Sequence, residues 1–262
     1  MRIAALVEYD GHQFHGWQRQ RQEPTVQATL EQAVSSVADE KLVVHVAGRT
    51  DTGVHARGQV VHFDTDKIRP MRSWLLGCNS RLPDSIAMLW LGNVDKDFHA
   101  RHSALSRSYR YTVLNRWTRA AIDRQYVTWY RYPLDEKKMH QAAQALLGEH
   151  DFQSYRAQSC QARHGVRLMH EISVSRDGDL IHIDLEANGF LHHMVRNIVG
   201  TLFLVGRGEK GVEWPGEVLA ARNRELAGAT AKPNGLTLTA VRYPKQCNIP
   251  NPPLRGFPEL PQ

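Results

Sequence analysis

The apolar positions change their period in a regular order. Arg2 to Glu8 predicts a strand around the run Ile3-Ala4-Ala5-Leu6-Val7. Val26, Leu30, Ala33, Val34 and Val37 then recur at helical spacing after Pro24, with Thr25 placed to cap the helix. Two β-rich runs follow, Leu42 to Ala47 and Gln59 to Phe63. A short helix from about Met71 to Cys78 and a strand over Ile86 to Val94 complete a β-α-β-β-α-β order.

The same order recurs further along. Tyr109 to Leu114 predicts a strand, and Asp135 caps a helix whose Met139, Ala142, Ala143, Leu146 and Leu147 share a face, ended by Gly148. Ile172 to Ser175 and Leu180 to Leu185 predict a hairpin around Arg176-Asp177-Gly178-Asp179. A strongly apolar helix over about Phe190 to Val205, an extra helix near Glu217 to Leu226 begun by Pro215, and a strand over Leu236 to Val241 follow. The expected architecture is α+β, with two ferredoxin-like βαββαβ halves whose antiparallel sheets join around a central cleft. The expected divisions are residues 1–103, residues 104–245, and a proline-rich extended tail over 246–262 packed on the surface.

A hydrophobic content of 42% with 23% charged residues fits a globular chain rather than a disordered one. No apolar run approaches the length of a membrane span. Met1 leads straight into a strand with no secretory pattern, so the expected location is the cytoplasm. Cys78, Cys160 and Cys247 stand far apart in an odd number, which predicts reduced thiols rather than a disulfide framework or metal knuckle. The formal net charge of +6 favours phosphate-rich partners, with binding that weakens as salt rises.

The densest chemistry lies in Gly48-Arg49-Thr50-Asp51-Thr52-Gly53-Val54-His55-Ala56, a connection of about ten residues between two predicted strands. Simple hairpins need only two to five turn residues. One reading is a turn in which Asp51 or Thr50 bonds the local backbone and the glycines supply positive φ. The other is a catalytic carboxylate presented by a loop.

This segment resembles the active-site loop of the TruA family of tRNA pseudouridine synthases, Gly-Arg-Thr-Asp-x-Gly-Val-His. Further motifs match in the same order: Tyr9-Asp10-Gly11 with Phe14-His15-Gly16-Trp17-Gln18-Arg19-Gln20, Asn79 with Leu82-Pro83, Asp97-Phe98-His99-Ala100-Arg101, Tyr109-Arg110-Tyr111, and the stretch Phe190 to Gly200. The resemblance implies the pseudouridine synthase fold and isomerisation of uridines 38, 39 and 40 in the tRNA anticodon stem-loop, by a homodimer that contacts tRNA through both subunits. It implies Asp51 as nucleophile, Tyr109 as a stacking platform for the target uracil and Arg196 as charge partner of Asp51. Thr52 departs from the alanine, and Tyr155 from the phenylalanine, common in relatives.

The chemistry suits these residue types. A carboxylate, with a reference pKa near 3.9, needs no base to act as a nucleophile. Moving uracil from an N1 to a C5 glycosidic link involves neither redox change nor a second substrate, so no cofactor is expected. Arg196 lies on an otherwise apolar helix, where an unpaired guanidinium is costly. Arg19, Arg49, Arg57, Arg101, Arg107 and Arg110 lie near the motifs and are candidate contacts to the RNA backbone.

Two other classes compete. The pairs His12 and His15, His99 and His102, and His192 and His193 suggest a metal-dependent hydrolase, but no zinc spacing with a catalytic carboxylate accompanies them, and no metal is expected. A non-catalytic RNA-recognition module shares the β-α-β-β-α-β order but carries an aromatic signature that this chain lacks.

Overall fold

The computed structural model describes residues 1–160 and 162–252. Its elements in chain order are β1 (Arg2–Tyr9), α1 (Val26–Ala38), β2 (His45–Val46), β3 (His55–Asp64), α2 (Met71–Asn79), β4 (Ile86–Val94), β5 (Ser106–Asn115), β6 (Thr128–Tyr130), α3 (Glu136–Ala143), β7 (Gly148–Asp151), β8 (Val166–Asp177), β9 (Leu180–Ala187), α4 (Met194–Gly206), α5 (Trp214–Ala221) and β10 (Leu236–Arg242). The chain forms two compact units. Of the described residues, one comprises 1–105 and 238–252, and the other 106–237. The last ten residues of the expected C-terminal tail, 253–262, lie outside the described residues.

In the first unit the strands run β4-β1-β3-β10, with β2 also paired to β3. β1 is antiparallel to both neighbours, pairing Leu6 with Val60 on one side and Trp90 on the other. Ile3 to Val7 are all buried, as expected for a strand covered on both faces, and this explains why β1 reads as a continuous apolar run. α1 begins where predicted, with Thr25 Oγ1 accepting from the Ala28 amide. Its Leu30, with Phe63 and Trp74, belongs to the fully buried core.

The second unit orders its strands β5-β9-β8-β7 antiparallel, with β6 parallel beside β5. The β8–β9 hairpin turns at Gly178, whose φ of +56° suits the two-residue loop. α4 is apolar almost all round and correspondingly buried, packing against α3 and α5. Among the described residues no helix is long and apolar enough to cross a membrane.

Several elements differ from their sequence expectations for identifiable reasons. The strand expected over Leu42 to Ala47 shrinks to His45–Val46. α1 side chains take its backbone groups: Leu42 N donates to Ser35 Oγ at 2.9 Å, Val44 N to Glu31 Oε1 at 3.2 Å, and Gln27 Nε2 to Val44 O. β3 starts at His55, earlier than expected, so the catalytic-candidate loop is Ala47–Val54. α4 starts at Met194 rather than Phe190, because His193 adopts φ +61°, incompatible with a right-handed helix. α3 gives way to a 3-10 turn at Gln144, and Gly148 (φ +94°) opens β7 instead of closing the helix. The helix expected to reach Leu226 stops at Ala221, since Asn223 accepts from the Glu225 amide and starts a separate turn.

Replacing Ser35 with alanine leaves the part-buried Leu42 amide without its acceptor. Urea unfolding is expected to show a loss of about 1–2 kcal/mol. An unchanged midpoint would show that this tether does not hold the segment.

Candidate active site

The loop between β2 and β3 is fixed from beneath by residues far away in sequence. Thr50 is buried, and its hydroxyl is 2.8 Å from the phenol of Tyr9 on β1. Gln59 Nε2 donates to Gly48 O at 2.8 Å and to Tyr9 Oη at 3.3 Å, tying the loop's start to β3. Burial pushes the Tyr9 phenol up to about 12, so it stays protonated as a hydrogen-bonding group. Trp17 N donates to Thr50 O at 3.0 Å, which joins the Phe14-to-Gln20 stretch to the same loop.

Backbone proximity explains the glycines. Gly16 has φ +80°, and a Cβ there would stand 3.0 Å from Thr50 O, 3.1 Å from Thr52 N and 3.2 Å from the Asp51 carbonyl carbon. A Cβ on Gly11 would overlap the Val54 carbonyl. Both positions therefore require the absence of a side chain. Nearby, His55 Nδ1 lies 3.0 Å from Asp10 Oδ1. The loop closes on itself through Val54 N donating to Asp51 O at 3.1 Å. Thr50 thus points into the core while Asp51, one residue on, is half-buried and Arg49, one residue back, is exposed. This arrangement holds the backbone from which the half-buried Asp51 side chain projects.

Of the other candidates in this unit, Arg57 and Arg101 are exposed. Arg19 forms a 2.7 Å ion pair with Glu31, a buried carboxylate on α1.

In the second unit Tyr109 lies on β5 opposite Leu185, is buried, and meets Phe190 edge to face with centroids 5.1 Å apart. Tyr111, two residues on, is wholly buried; its hydroxyl lies 2.7 Å from Thr128 Oγ1 and donates to Lys232 O at 2.8 Å. Burial raises the Tyr111 phenol above its ordinary range, against the opposing Thr128 hydrogen bond and the charge of Arg196. Arg107 donates to Asn188 O at 2.9 Å, and Arg110 makes a two-pronged ion pair with Asp184 at 2.7 and 3.0 Å.

Arg196, half-buried in the first turn of α4, is clasped by one residue. Its Nε donates to Ala231 O at 2.7 Å, while Ala231 N donates to Arg196 O at 3.1 Å. The stretch carrying Ala231 is itself held by α4. Thr230 Oγ1 and Arg224 Nη2 donate to Asn197 Oδ1 at 2.7 and 2.9 Å, and Gly228 N donates to Thr201 Oγ1 at 2.9 Å. Sequence reading missed Ala231, since a backbone carbonyl leaves no residue-type signal. It also missed Thr50 and Gln59 as anchors of the loop.

The histidines have local uses. The His99 and His102 rings lie 4.3 Å apart beside His45 and His62. His62 Nδ1 accepts from Ala100 N, and burial, with its cationic and imidazole neighbours, depresses His62 to about 3. His15 pairs with Glu23 at 3.2 Å. The His192 and His193 rings lie 4.0 Å apart, with His192 Nδ1 3.1 Å from Ser159 Oγ.

A profile of the family described as "tRNA pseudouridine synthase" matches residues 5–103 and 142–244. The chain is 54% identical over 250 residues to tRNA pseudouridine synthase A of Shewanella woodyi, covering 95% of this chain and 96% of that protein. It is 55% identical over 251 residues to tRNA pseudouridine synthase A of Stenotrophomonas maltophilia (95% and 98%) and 53% identical to that of Xylella fastidiosa (95% and 98%).

Gly16→Ala places a side chain in left-handed backbone against the loop. Denaturant unfolding is expected to show a loss of about 1–3 kcal/mol. Hydrogen exchange of the Val54 amide should accelerate. A variant as stable as wild type, with unchanged exchange, would show that the close approach is not needed.

Proposed function

Because this chain belongs to the tRNA pseudouridine synthase family, we propose that it isomerises uridine to pseudouridine at positions 38, 39 and 40 of the tRNA anticodon stem-loop, with Asp51 as nucleophile and no cofactor. The observation that carries this reading is the loop around Asp51, pinned through Thr50, Gly16 and Gly48 while the carboxylate itself stays half-exposed.

In this mechanism the N1–C1′ bond breaks, the uracil turns, and C5 bonds to C1′. The C5 proton leaves and N1 gains one, so substrate and product have the same composition. The Asp51 carboxylate forms a covalent bond to the nucleotide and later leaves, the role a carboxylate performs at a sugar centre in retaining glycosidases. Tyr109 supplies a flat face for the extruded uracil. Stacking of a base on an aromatic ring is worth about 1–3 kcal/mol, comparable to the few kcal/mol that base extrusion costs. Arg196 supplies the positive charge that pairs with the carboxylate, its direction set by the clasp from Ala231.

Arg49, Arg57 and Arg101 are exposed and bind RNA phosphates in this reading. Arg19, Arg107 and Arg110 are read as further RNA contacts, a guanidinium carrying five N–H groups. Each half of the chain is read as ferredoxin-like. The order β4-β1-β3 with β2 on β3, and the order β5-β9-β8, correspond to the same strands of that unit. The protein is read as cytoplasmic on the sequence pattern, and as a homodimer on the family resemblance.

Asp51→Asn keeps the shape of the side chain and removes its nucleophilic charge. Binding of tRNA, measured by filter retention, is expected to stay within about twofold of wild type, while pseudouridine formation falls by at least about a thousandfold. Appreciable turnover by this variant contradicts the mechanism. Arg196→Lys keeps a charge but loses the fixed planar fork. It is expected to fold normally by circular dichroism and to lose about 10- to 100-fold in kcat. Wild-type kcat in this variant would remove Arg196 from the site.

A further inference from the structure

An ordered excursion between β5 and α3 exposes aromatic rings interleaved with arginines. Trp117 is 71% exposed, and the Arg131 guanidinium lies 4.5 Å from its ring centroid and 5.3 Å from that of Tyr132. Arg207, just beyond α4, lies 4.6 Å from the same Tyr132 ring. Trp117, Arg131, Tyr132 and Arg207 thus form a stacked ladder of alternating ring and cation. Its base is fixed, since Tyr130 packs on Phe203 of α4 at 4.6 Å.

The backbone of the excursion is equally constrained. Asn115 Nδ2 donates to the carbonyls of Tyr130 and Tyr132, and Asn234 Nδ2 to those of Arg124 and Val127. The exposed rings therefore stand on a built scaffold. Exposed apolar groups of this size mark a contact surface.

The charge selects the partner. Between Asn115 and Pro133 the chain carries Arg116, Arg119, Arg124 and Arg131 against the single acid Asp123, and although Arg116 faces Asp179 at 3.5 Å and Arg207 pairs with Glu209, the patch keeps an excess of arginine. A second copy docking symmetrically on this patch would bring like charges together, which opposes isologous pairing. A polyanion with stackable faces satisfies both kinds of group: phosphates meet the guanidinium groups, and a base meets the exposed Trp117 ring, since the Tyr132 ring is already flanked by Arg131 and Arg207.

We propose that this ladder is a second RNA-contact surface, remote from the reacting nucleotide. Tyr109 and Asn115 are six residues apart on β5, which at about 3.3 Å per strand residue places the foot of the ladder roughly 20 Å along the strand from Tyr109. The proposal rests on the reading of the substrate as tRNA. It adds that RNA is held at a point the chemistry does not touch.

Trp117→Ala and Arg131→Ala change exposed side chains, so both variants should melt at the wild-type temperature. With fluorescein-labelled tRNA, anisotropy titration is expected to show affinity about tenfold weaker for Trp117→Ala. For Arg131→Ala the slope of log affinity against log salt should be less steep by about one. For both, kcat at saturating tRNA should equal wild type and KM should rise. Wild-type affinity and salt slope in both variants overturn the proposal. So does a change in sedimentation state accompanied by unchanged affinity per chain, which assigns the patch to subunit contact. If wild type isomerises tRNA while the variants bind it normally, the surface fails and the activity reading stands. If wild type binds RNA through the ladder yet forms no pseudouridine, the reverse holds.

Discussion

The first unit turns on one close approach of backbone to backbone, where Gly16 lies against the carbonyls of Thr50 and Asp51. That contact excludes any side chain at position 16 and binds the stretch before α1 to the loop before β3. The buried Tyr9–Thr50 hydrogen bond fixes the same loop from the sheet side. Together they determine which of the three consecutive polar residues Arg49, Thr50 and Asp51 is buried. Thr50 is consumed by the core, and Asp51 is presented with little conformational freedom left to lose. In the proposed mechanism a nucleophile on such a loop enters reaction with its backbone already placed.

The second unit applies a comparable economy of polar groups. α4 is apolar apart from Arg196, Asn197 and Thr201, and all three reach the stretch from Arg224 to Ala231. Asn197 accepts from Thr230 and Arg224 while its own amide donates to Tyr155 O at 2.7 Å, so a fully buried side chain has both ends satisfied. Gly200 lets this stretch lie directly on the helix, since a Cβ there would overlap the Ala229 carbonyl. Arg196 is therefore directed by a backbone clasp. A buried network of this kind is rigid only when every member is paired.

Elements whose signal is local were legible in the sequence. β1, α1, β4 and the β8–β9 hairpin followed from an apolar run, a 3.6-residue period with an N-cap, and a glycine turn. What was not legible depended on partners distant in sequence. The segment from Leu42 to Val44 has strand composition, but Ser35 and Glu31 take its amides. β6 and β7, of three and four residues, are too short to carry a period. The helix boundary at Met194 followed from one left-handed residue, His193, which no propensity anticipates.

The candidate site divides along the same line. The loop of Asp51 was visible because acid, hydroxyl, arginine and glycines crowd into nine residues. Family motifs supplied Tyr109 and Arg196, for which composition alone offered only a strand aromatic and a charge on an apolar helix. The anchors of the loop and the clasp of Arg196 emerged only from the coordinates. The ladder at Trp117 was likewise invisible, since Arg131 and Arg207 reach it from separate segments.

The most direct test uses tRNA transcribed with uridine tritiated at C5 and wild-type protein dialysed against chelator. The account predicts tritium released to water in proportion to pseudouridine formed at positions 38 to 40, with the mass of the RNA changed only by loss of the label. Release that requires an added metal or cofactor, retention of the label, or loss of the uracil base from the chain would contradict it.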